Sequence, residues 1–233
     1  MTTAEILTPI DDGCLPQLSE MYKNKPDWAP YVYSFVDTAI KWKNKGRNQL
    51  TTFWSPNNSW KEDGTFIALM QLVVARFKAL SVSVILVINI DIFFLLYFRC
   101  PLNVYIKKLD KSVASVIDSL YKPHRYRYSD GDKFISTLIE MNQGYGLFLK
   151  ENGVLVAWVM RTCLGQIGFL QTVDGYYKKG YATFLAQYVS KQIAKEGFIP
   201  MGAISQSNLS SLSLFRKLGF REAEACYFLE VNK

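Results

Sequence analysis

The sequence feature that most constrains the fold is a loop rich in glycine and lysine that leads into an amphipathic helix. The chain from residue 171 reads QTVDGYYKKGYATFLAQYVSKQIAKEGF. After Gly180, apolar residues recur at the three- and four-residue spacing of one face of an α-helix, and the pattern stops at Gly197. The sequence therefore predicts a strand, a turn and a helix in immediate succession.

The start of such a helix is suited to bind a phosphate group. Its first backbone N–H groups have no partner within the helix, all point the same way, and attract anions. Gly180 lets the backbone come close to a ligand, and Lys178 and Lys179 add positive charge. A pyrophosphate would suit this site. A purely structural turn is the alternative, since any strand-turn-helix connection can contain glycine.

Regular elements are predicted on both sides of this loop. Asn152 and Gly153 form a strong hairpin signal between two strand-like runs. Helices are expected near Val113–Leu120 and from Asp130 or Asp132 onward. The pattern also predicts a helix that begins after Asn208 and ends at Gly219. The predicted strands are Tyr145–Lys150, Val154–Arg161, Gln166–Val173, Ile199–Ile204 and Ala225–Val231, and an N-terminal helix is predicted over Tyr31–Lys43.

Two motifs in this half of the chain resemble a known family. The loop resembles R/Q-x-x-G-x-G/A opening a helix, and residues 208–220 follow the pattern N-x-x-S-x-x-L-F/Y-x-x-x-G-F. Both are features of the Gcn5-related N-acyltransferases, the GNAT superfamily. More narrowly, Trp158–Phe220 is similar to the glycine N-acyltransferase-like branch, and the stretch WKEDGTFIAL from Trp60 resembles that branch's N-terminal domain more faintly.

The resemblance implies an α/β fold of the mixed α+β kind, in which helices flank a twisted mixed sheet. A smaller, degenerate N-terminal α/β domain would precede it. The expected domains are residues 1–110, which include an apolar segment at 79–98, and residues 111–233, which bind acyl-CoA. The family's fourth and fifth strands, here Gln166–Val173 and Ile199–Ile204, would splay apart to admit the pantetheine arm of the cofactor.

An acyl-CoA co-substrate, acetyl-CoA or a longer acyl-CoA, is implied, and no metal. The fourth strand would hold the pantetheine arm through its backbone, and the loop and helix start would hold the pyrophosphate. Tyr177 stands where the family motif has Arg or Gln. The residues expected to bind the cofactor are Leu170, Gln171, Thr172, Val173, Lys178, Lys179, Gly180, Tyr181, Ala182, Thr183, Asn208 and Phe215.

The implied reaction is direct attack of an acceptor amine on the thioester. Gln166 aligns with the family's glutamate base and cannot accept a proton, while Phe215 aligns with a tyrosine that protonates the leaving thiolate. Asn208 would lie near the thioester, and Tyr227 or Glu230 would substitute for the missing acid. The catalytic residues expected are therefore Gln166, Asn208 and Tyr227.

Three functions remain open at this stage. The first is an N-acyltransferase that moves an acyl group from acyl-CoA to the amine of a small molecule, such as glycine or another amino acid. The second is a non-catalytic acyl-CoA-binding protein, for which Gln166 and Phe215 are the evidence. The third is a membrane-anchored or unrelated module built on Leu80–Phe98.

Composition excludes several other classes. The net charge is +7, but the basic residues are scattered or in short groups, which argues against a nucleic-acid partner. The four cysteines lie far apart and form no C-x-x-C pair, which argues against a zinc ribbon or a thioredoxin-type site. The single histidine, His124, supports neither a metal cluster nor a Ser-His-Asp triad.

The apolar run ALSVSVILVINIDIFFLLYF at residues 79–98 is long enough to cross a bilayer as a helix. Asp91 and the many β-branched residues favour buried strands or a buried helix over a membrane span, which is the weaker alternative. The N-terminus shows no secretory pattern, so a cytoplasmic location is expected. Mitochondria are the alternative, because vertebrate relatives of the branch are associated with them.

Overall fold

A computed structural model describes residues 7–24, 32–47, 51–70, 81–88, 98–121 and 131–228. The chain divides into two compact units. The first contains the residues up to Val74 together with Cys163–Gly165, and the second contains Ala75–Thr162 and Gln166–Lys233. Each unit has its own buried core.

The first unit combines short helices with a three-stranded antiparallel sheet. Its strands, in the order β1-β2-β3, pair through registers such as Leu7 with Pro56 and Trp54 with Ile67. The strands are β1 (Leu7–Pro9), β2 (Thr51–Pro56) and β3 (Ile67–Met70), and the helices are α1 (Leu15–Lys23), α2 (Val32–Asn44) and α3 (Trp60–Asp63). The helix predicted over Tyr31–Lys43 is confirmed over its described residues, and Tyr31 lies outside them.

Aromatic residues fill the core of the first unit. Phe53 of β2 lies against Phe35 of α2, with ring centroids 5.6 Å apart, and against Phe66, at 5.5 Å. Trp60, at the start of α3, is 1% exposed, and its backbone N–H donates to Ser55 Oγ at 2.9 Å. The dense aromatic residues of this part of the sequence are thus core residues.

The second unit contains two antiparallel sheets. One has four strands in the order β5-β6-β7-β8, and the other has three strands in the order β10-β4-β9. The strands are β4 (Ser81–Val87), β5 (Val104–Lys108), β6 (Gly144–Leu149), β7 (Leu155–Arg161), β8 (Ile167–Thr172), β9 (Met201–Ser205) and β10 (Arg221–Phe228). The predicted hairpin is confirmed, since β6 and β7 pair antiparallel and Gly153 adopts a left-handed φ of 71° between them.

Four helices of the second unit are described, and they connect or flank these strands. They are α4 (Ala114–Leu120), α5 (Gly131–Asn142), α6 (Tyr181–Lys195) and α7 (Leu209–Lys217). Helix α6 starts directly after Gly180, as the sequence pattern predicts. Its apolar face packs on the four-stranded sheet, where Phe184, Leu185 and Val189 join a core that includes Val156 and Val159.

Strand β4 agrees with the buried strands that were one expectation for the apolar segment, but its place in the sheet was not predicted. It belongs to the apolar segment 79–98, yet it lies between β9 and β10 and pairs with both. Residues 81–87 therefore form a strand, not part of a helix, while residues 79, 80 and 89–97 lie outside the described residues. No helix among the described residues is long and apolar enough to span a membrane.

The sheet registers also bear on the domain boundary expected at residue 110. Both β4 and β5 precede that residue, and both complete sheets whose other strands come from the C-terminal half of the chain. The division between the compact units accordingly falls at Val74 and Ala75. The β-branched apolar run of β4 satisfies its backbone groups by pairing with distant strands. The functional division at residue 110 stays a prediction.

Replacing Leu86 with Ala tests the contribution of β4. Leu86 is fully buried in the core of the second unit, so we expect its truncation to lower the free energy of unfolding by about 2–5 kcal/mol. The measurement is chemical denaturation followed by circular dichroism. Val116→Ala, at a half-exposed position of α4, is the control and should change stability by less than about 0.5 kcal/mol. Equal effects of the two substitutions would contradict the placement of β4.

Candidate functional site

The predicted phosphate loop lies between the end of β8 and the start of α6. Gly180 and Lys178 both have left-handed backbone conformations, with φ of 78° and 60°. The first intrahelical bond described runs from the N–H of Phe184 to the carbonyl of Gly180, at 2.9 Å. The N–H groups of residues 181–183 precede that bond, so they have no partner one turn earlier in the helix. We refer to Lys178–Thr183 as the cradle.

The space above Gly180 is open. A Cβ atom built on this residue would meet no other atom of the described residues within 4 Å, so the space next to its Cα is open. The left-handed φ explains why glycine stands here, since other residues adopt that conformation at a cost. The cradle is thus preformed and accessible to a ligand.

The charged and polar side chains around the cradle have different environments. Lys178 and Lys179 are exposed, and the Lys179 ammonium lies 4.9 Å from the centre of the Tyr176 ring. The hydroxyl of Tyr177 donates to Asp174 Oδ1 at 2.6 Å. Tyr177, which replaces the family's Arg or Gln, is therefore engaged within the loop through its hydroxyl group.

Strand β8 is an outer strand of its sheet, and β9 is an outer strand of the other sheet. The two strands approach each other at Gly202, where an added Cβ would lie 3.4 Å from the carbonyl oxygen of Ile167. The described residues of β8 and β9 do not pair with each other through backbone hydrogen bonds. Strand β8 pairs with β7, and β9 pairs with β4. The outer edge of β8 therefore has no strand paired to it among the described residues.

A bulge interrupts β8 near its middle. Trp158 pairs with Gln171 and Met160 with Gly168, so Phe169 and Leu170 together face a single residue of β7. Phe169 has a φ of 52°, a conformation that is unusual for a non-glycine residue. Bulges are enriched beside active sites, where they change the direction of backbone groups and side chains.

Aromatic residues surround the bulge on one face of the sheet. The Phe169 ring lies 5.1 Å from Tyr121 and 5.8 Å from Phe134. Trp158, which pairs with Gln171 of β8, is fully buried. Its indole Nε1 has no hydrogen-bond partner among the described residues. The Gln171 amide donates to the carbonyl of Leu120 at 2.6 Å, which ties β8 to the end of α4.

Ten of the twelve predicted binding residues lie in β8 or in the connection from β8 into α6. Leu170, Gln171 and Thr172 are in β8, and Val173 follows it with its N–H donated to Val156 at 2.9 Å. The loop and the first turn of α6 contain the cradle residues, namely Lys178, Lys179, Gly180, Tyr181, Ala182 and Thr183. The structure brings β8 and the cradle together as consecutive parts of one connection.

Three other predicted site residues, Gln166, Asn208 and Phe215, lie outside the connection from β8 to α6. Gln166 immediately precedes β8 and is 8% exposed, and its carbonyl accepts from the N–H of Thr162 at 2.8 Å. Asn208 caps α7, since its side chain accepts from the N–H of Ser211 at 3.1 Å. The Phe215 ring is buried beside Gly202, 3.7 Å from a Cβ built there.

Tyr227 lies in β10, and its backbone pairs with Val82 of β4. Strand β4 therefore separates Tyr227 from β9, at a spacing of about 4.8 Å per strand. Glu230 and His124 lie outside the described residues. The catalytic roles of Gln166, Asn208 and Tyr227 stay predictions.

Two other features bear on the chemistry. Burial raises the pKa of the Cys163 thiol to about 12 and raises the pKa of the Cys100 thiol as well. Both thiols are therefore protonated at neutral pH and do not provide a nucleophile there. Within the described part of the chain, no group of three histidine, cysteine, aspartate or glutamate residues is placed to hold a metal ion.

Family models match two separate parts of the chain. The model of FR47-like protein matches residues 144–229, which include the strands β6 to β10 and the cradle. A model described as a domain of unknown function, DUF5645, matches residues 6–81. No curated protein is significantly similar in sequence to this chain.

Solved structures resemble the chain over almost its whole length. A protein of Drosophila melanogaster is 16% identical, with a TM-score of 0.83 over 96% of this chain and 97% of that chain. An acetyltransferase of the GNAT family from Colwellia psychrerythraea is 12% identical, with a TM-score of 0.53 over 95% of this chain and 97% of its own. The chain therefore shares the fold of these two structures, one of which is a GNAT-family acetyltransferase. The particular glycine N-acyltransferase-like branch is a finer assignment that these matches do not reach.

Sequence reasoning missed the bulge at Phe169 and the aromatic residues around it. A signal was present, because an isolated glycine within a strand pattern, here Gly168, often marks a bulge. No local signal placed Tyr121 and Phe134 beside Phe169, because that contact joins residues that are distant in the sequence.

Replacing Gly180 with Val tests the cradle. A β-branched residue is strained at a φ of 78°, and its side chain would enter the open space before the helix. We expect the affinity for acetyl-CoA, measured by calorimetry, to fall at least tenfold. Gly197→Val is the matched control, because Gly197 has a φ of 83° and equally open space but lies at the opposite end of α6. Equal affinities of the two variants would contradict the assignment.

Proposed function

We propose that the chain is an acyl-CoA-dependent N-acyltransferase that transfers an acyl group to the amine of a small molecule, such as glycine or another amino acid. The observation that carries the proposal is the connection from β8 to α6. An outer strand separated from β9 continues into a loop whose left-handed Gly180 opens the helix start. The GNAT fold and the FR47-like match over this region support it.

The proposed binding mode follows from the backbone groups. The pyrophosphate would accept hydrogen bonds from the amides of residues 181–183, where the helix dipole favours negative charge. The pantetheine arm, which is rich in amides, would pair with the outer edge of β8 as an additional strand does. The thioester would then lie toward the start of β8, where Ile167 approaches Gly202.

The proposed reaction needs no covalent enzyme intermediate. The neutral amine attacks the thioester carbon, so a C–N bond forms, the C–S bond breaks, and coenzyme A leaves as a thiolate that takes up a proton. The attacking nitrogen loses a proton in the same sequence. Gln166, at the start of β8, can orient the amine by hydrogen bonding but cannot accept that proton.

A second function is favoured by two specific residues. Gln166 lacks a titratable group and Phe215 lacks the hydroxyl of the tyrosine that the family resemblance implies at its position. A protein that keeps the cradle and loses both groups would bind acyl-CoA without turning it over. The alternative is therefore a non-catalytic acyl-CoA-binding protein.

A free-thiol assay separates the two functions. Purified protein is offered acetyl-CoA or benzoyl-CoA with glycine and a panel of other small amines, and release of coenzyme A is followed. The proposed function predicts thiol release that depends on the amine. Binding by calorimetry without thiol release would favour the non-catalytic alternative, and no binding by the folded protein would contradict both.

Replacing Gln166 with Glu restores a base at the start of β8. We expect turnover to rise about tenfold or more, since a positioned base contributes to amine deprotonation. Because burial raises the pKa of a carboxyl group, the gain should appear only above the ordinary glutamate pKa of about 4.3. Gln143→Glu, at an exposed position before β6, is the control. An equal response of both variants would contradict the proximity of Gln166 to the acceptor amine.

A further inference from the structure

A cavity of about 470 Å³ lies beside the cradle, on the side of the β6-β7 turn. Its volume is within the range of about 300–1,000 Å³ that is usual for small-molecule sites. The residues that line it come from three segments of the second unit, and they are Leu102, Asn103, Leu149, Lys150, Glu151, Tyr176 and Lys179. Apart from Lys179, which also belongs to the cradle, none of these residues has a role in the site described above.

Hydrogen bonds attach the cavity to the cradle. The side-chain amide of Asn103 donates to the hydroxyl of Tyr181, the first residue of α6. The carbonyl of Asn103 accepts from the N–H of Lys150 at 3.0 Å. Tyr181 is 1% exposed, so its hydroxyl group is held in place. The β6-β7 turn, the segment before β5 and the helix start thus form one connected wall.

The charged groups of the cavity favour an anion. Lys150 and Lys179 contribute two positive charges and Glu151 one negative charge, so the lining carries a net positive charge. Tyr176 adds a half-buried aromatic ring, over which the Lys179 ammonium lies at 4.9 Å. An aromatic surface beside two ammonium groups is suited to a planar base that carries a phosphate.

We propose that this cavity binds the 3′-phosphoadenosine end of coenzyme A. Lys179 belongs to both the cavity and the cradle, and in coenzyme A the adenosine is bonded directly to the pyrophosphate. The 3′-phosphate lies between Lys150 and Lys179, and the purine packs on Tyr176 after the Lys179 ammonium moves from the ring to the phosphate. The inference rests on the proposed function.

The consequence is discrimination among acyl donors. The cradle alone binds any acyl donor whose pantetheine arm carries a pyrophosphate, whereas the cavity adds contacts that only the 3′-phosphate satisfies. A contact between an exposed lysine and a phosphate is strong when it is well formed and much weaker when it is solvated. We therefore expect acetyl-CoA to bind about three to ten times more tightly than acetyl-3′-dephospho-CoA.

Calorimetric titration of the full chain with these two ligands tests the inference. Lys150→Ala should weaken acetyl-CoA binding about three- to tenfold and leave acetyl-3′-dephospho-CoA binding unchanged, so that the preference is lost. Lys150→Arg should retain it. Lys108→Ala removes the same charge from an exposed position of β5 outside the cavity and is the matched control. Both lysines are exposed, so the variants should fold, which circular dichroism checks.

The outcomes distinguish this inference from the function on which it rests. The cavity assignment is supported if Lys150→Ala loses the preference for the 3′-phosphate while Lys108→Ala keeps it. Equal affinity of the wild-type protein for both ligands, or equal weakening by Lys150→Ala and Lys108→Ala, overturns the assignment while leaving acyl-CoA binding intact. Failure of the wild-type protein to bind either ligand overturns both proposals.

Discussion

The separation of β8 from β9 is the constraint on which the site depends. Each strand forms backbone hydrogen bonds along one edge, β8 with β7 and β9 with β4. Neither strand therefore depends on the other for its place in a sheet. Strand β4 makes this arrangement stable because it occupies the position between β9 and β10 and buries Leu86. A segment from the first half of the chain therefore completes the sheet that contains β9, and β8 remains an outer strand of its own sheet.

The core beneath α6 fixes the cradle relative to that open edge. Phe184, Leu185, Val189 and Ile193 are buried against the four-stranded sheet, so the helix cannot shift without losing that burial. The positive end of the helix is thus held directly after β8. The proposed phosphate site depends on backbone groups and a helix dipole, so it does not require the Arg or Gln that the resemblance implies at the position of Tyr177.

Local sequence patterns predicted the elements that have strong local signals. The hairpin at Asn152-Gly153, the helix after Gly180 and the helix after Asn208 agree with their sequence patterns. Strand β4 was not placed, because its partners β9 and β10 lie more than a hundred residues further along the chain. For the same reason, no pattern could bring Asn103 to Tyr181 or Lys150 to Lys179. Patterns report periodicity, whereas these contacts depend on topology.

The most direct test of acyl-CoA binding at the cradle is the response of individual backbone amides to acetyl-CoA, measured by nuclear magnetic resonance on isotopically labelled protein. The amides of residues 178–183 should show the largest saturable shifts, followed by those along the outer edge of β8, because hydrogen bonds to phosphate move amide resonances strongly. Saturable shifts confined to the first unit, or the absence of any saturable shift at residues 178–183, would contradict the proposed site.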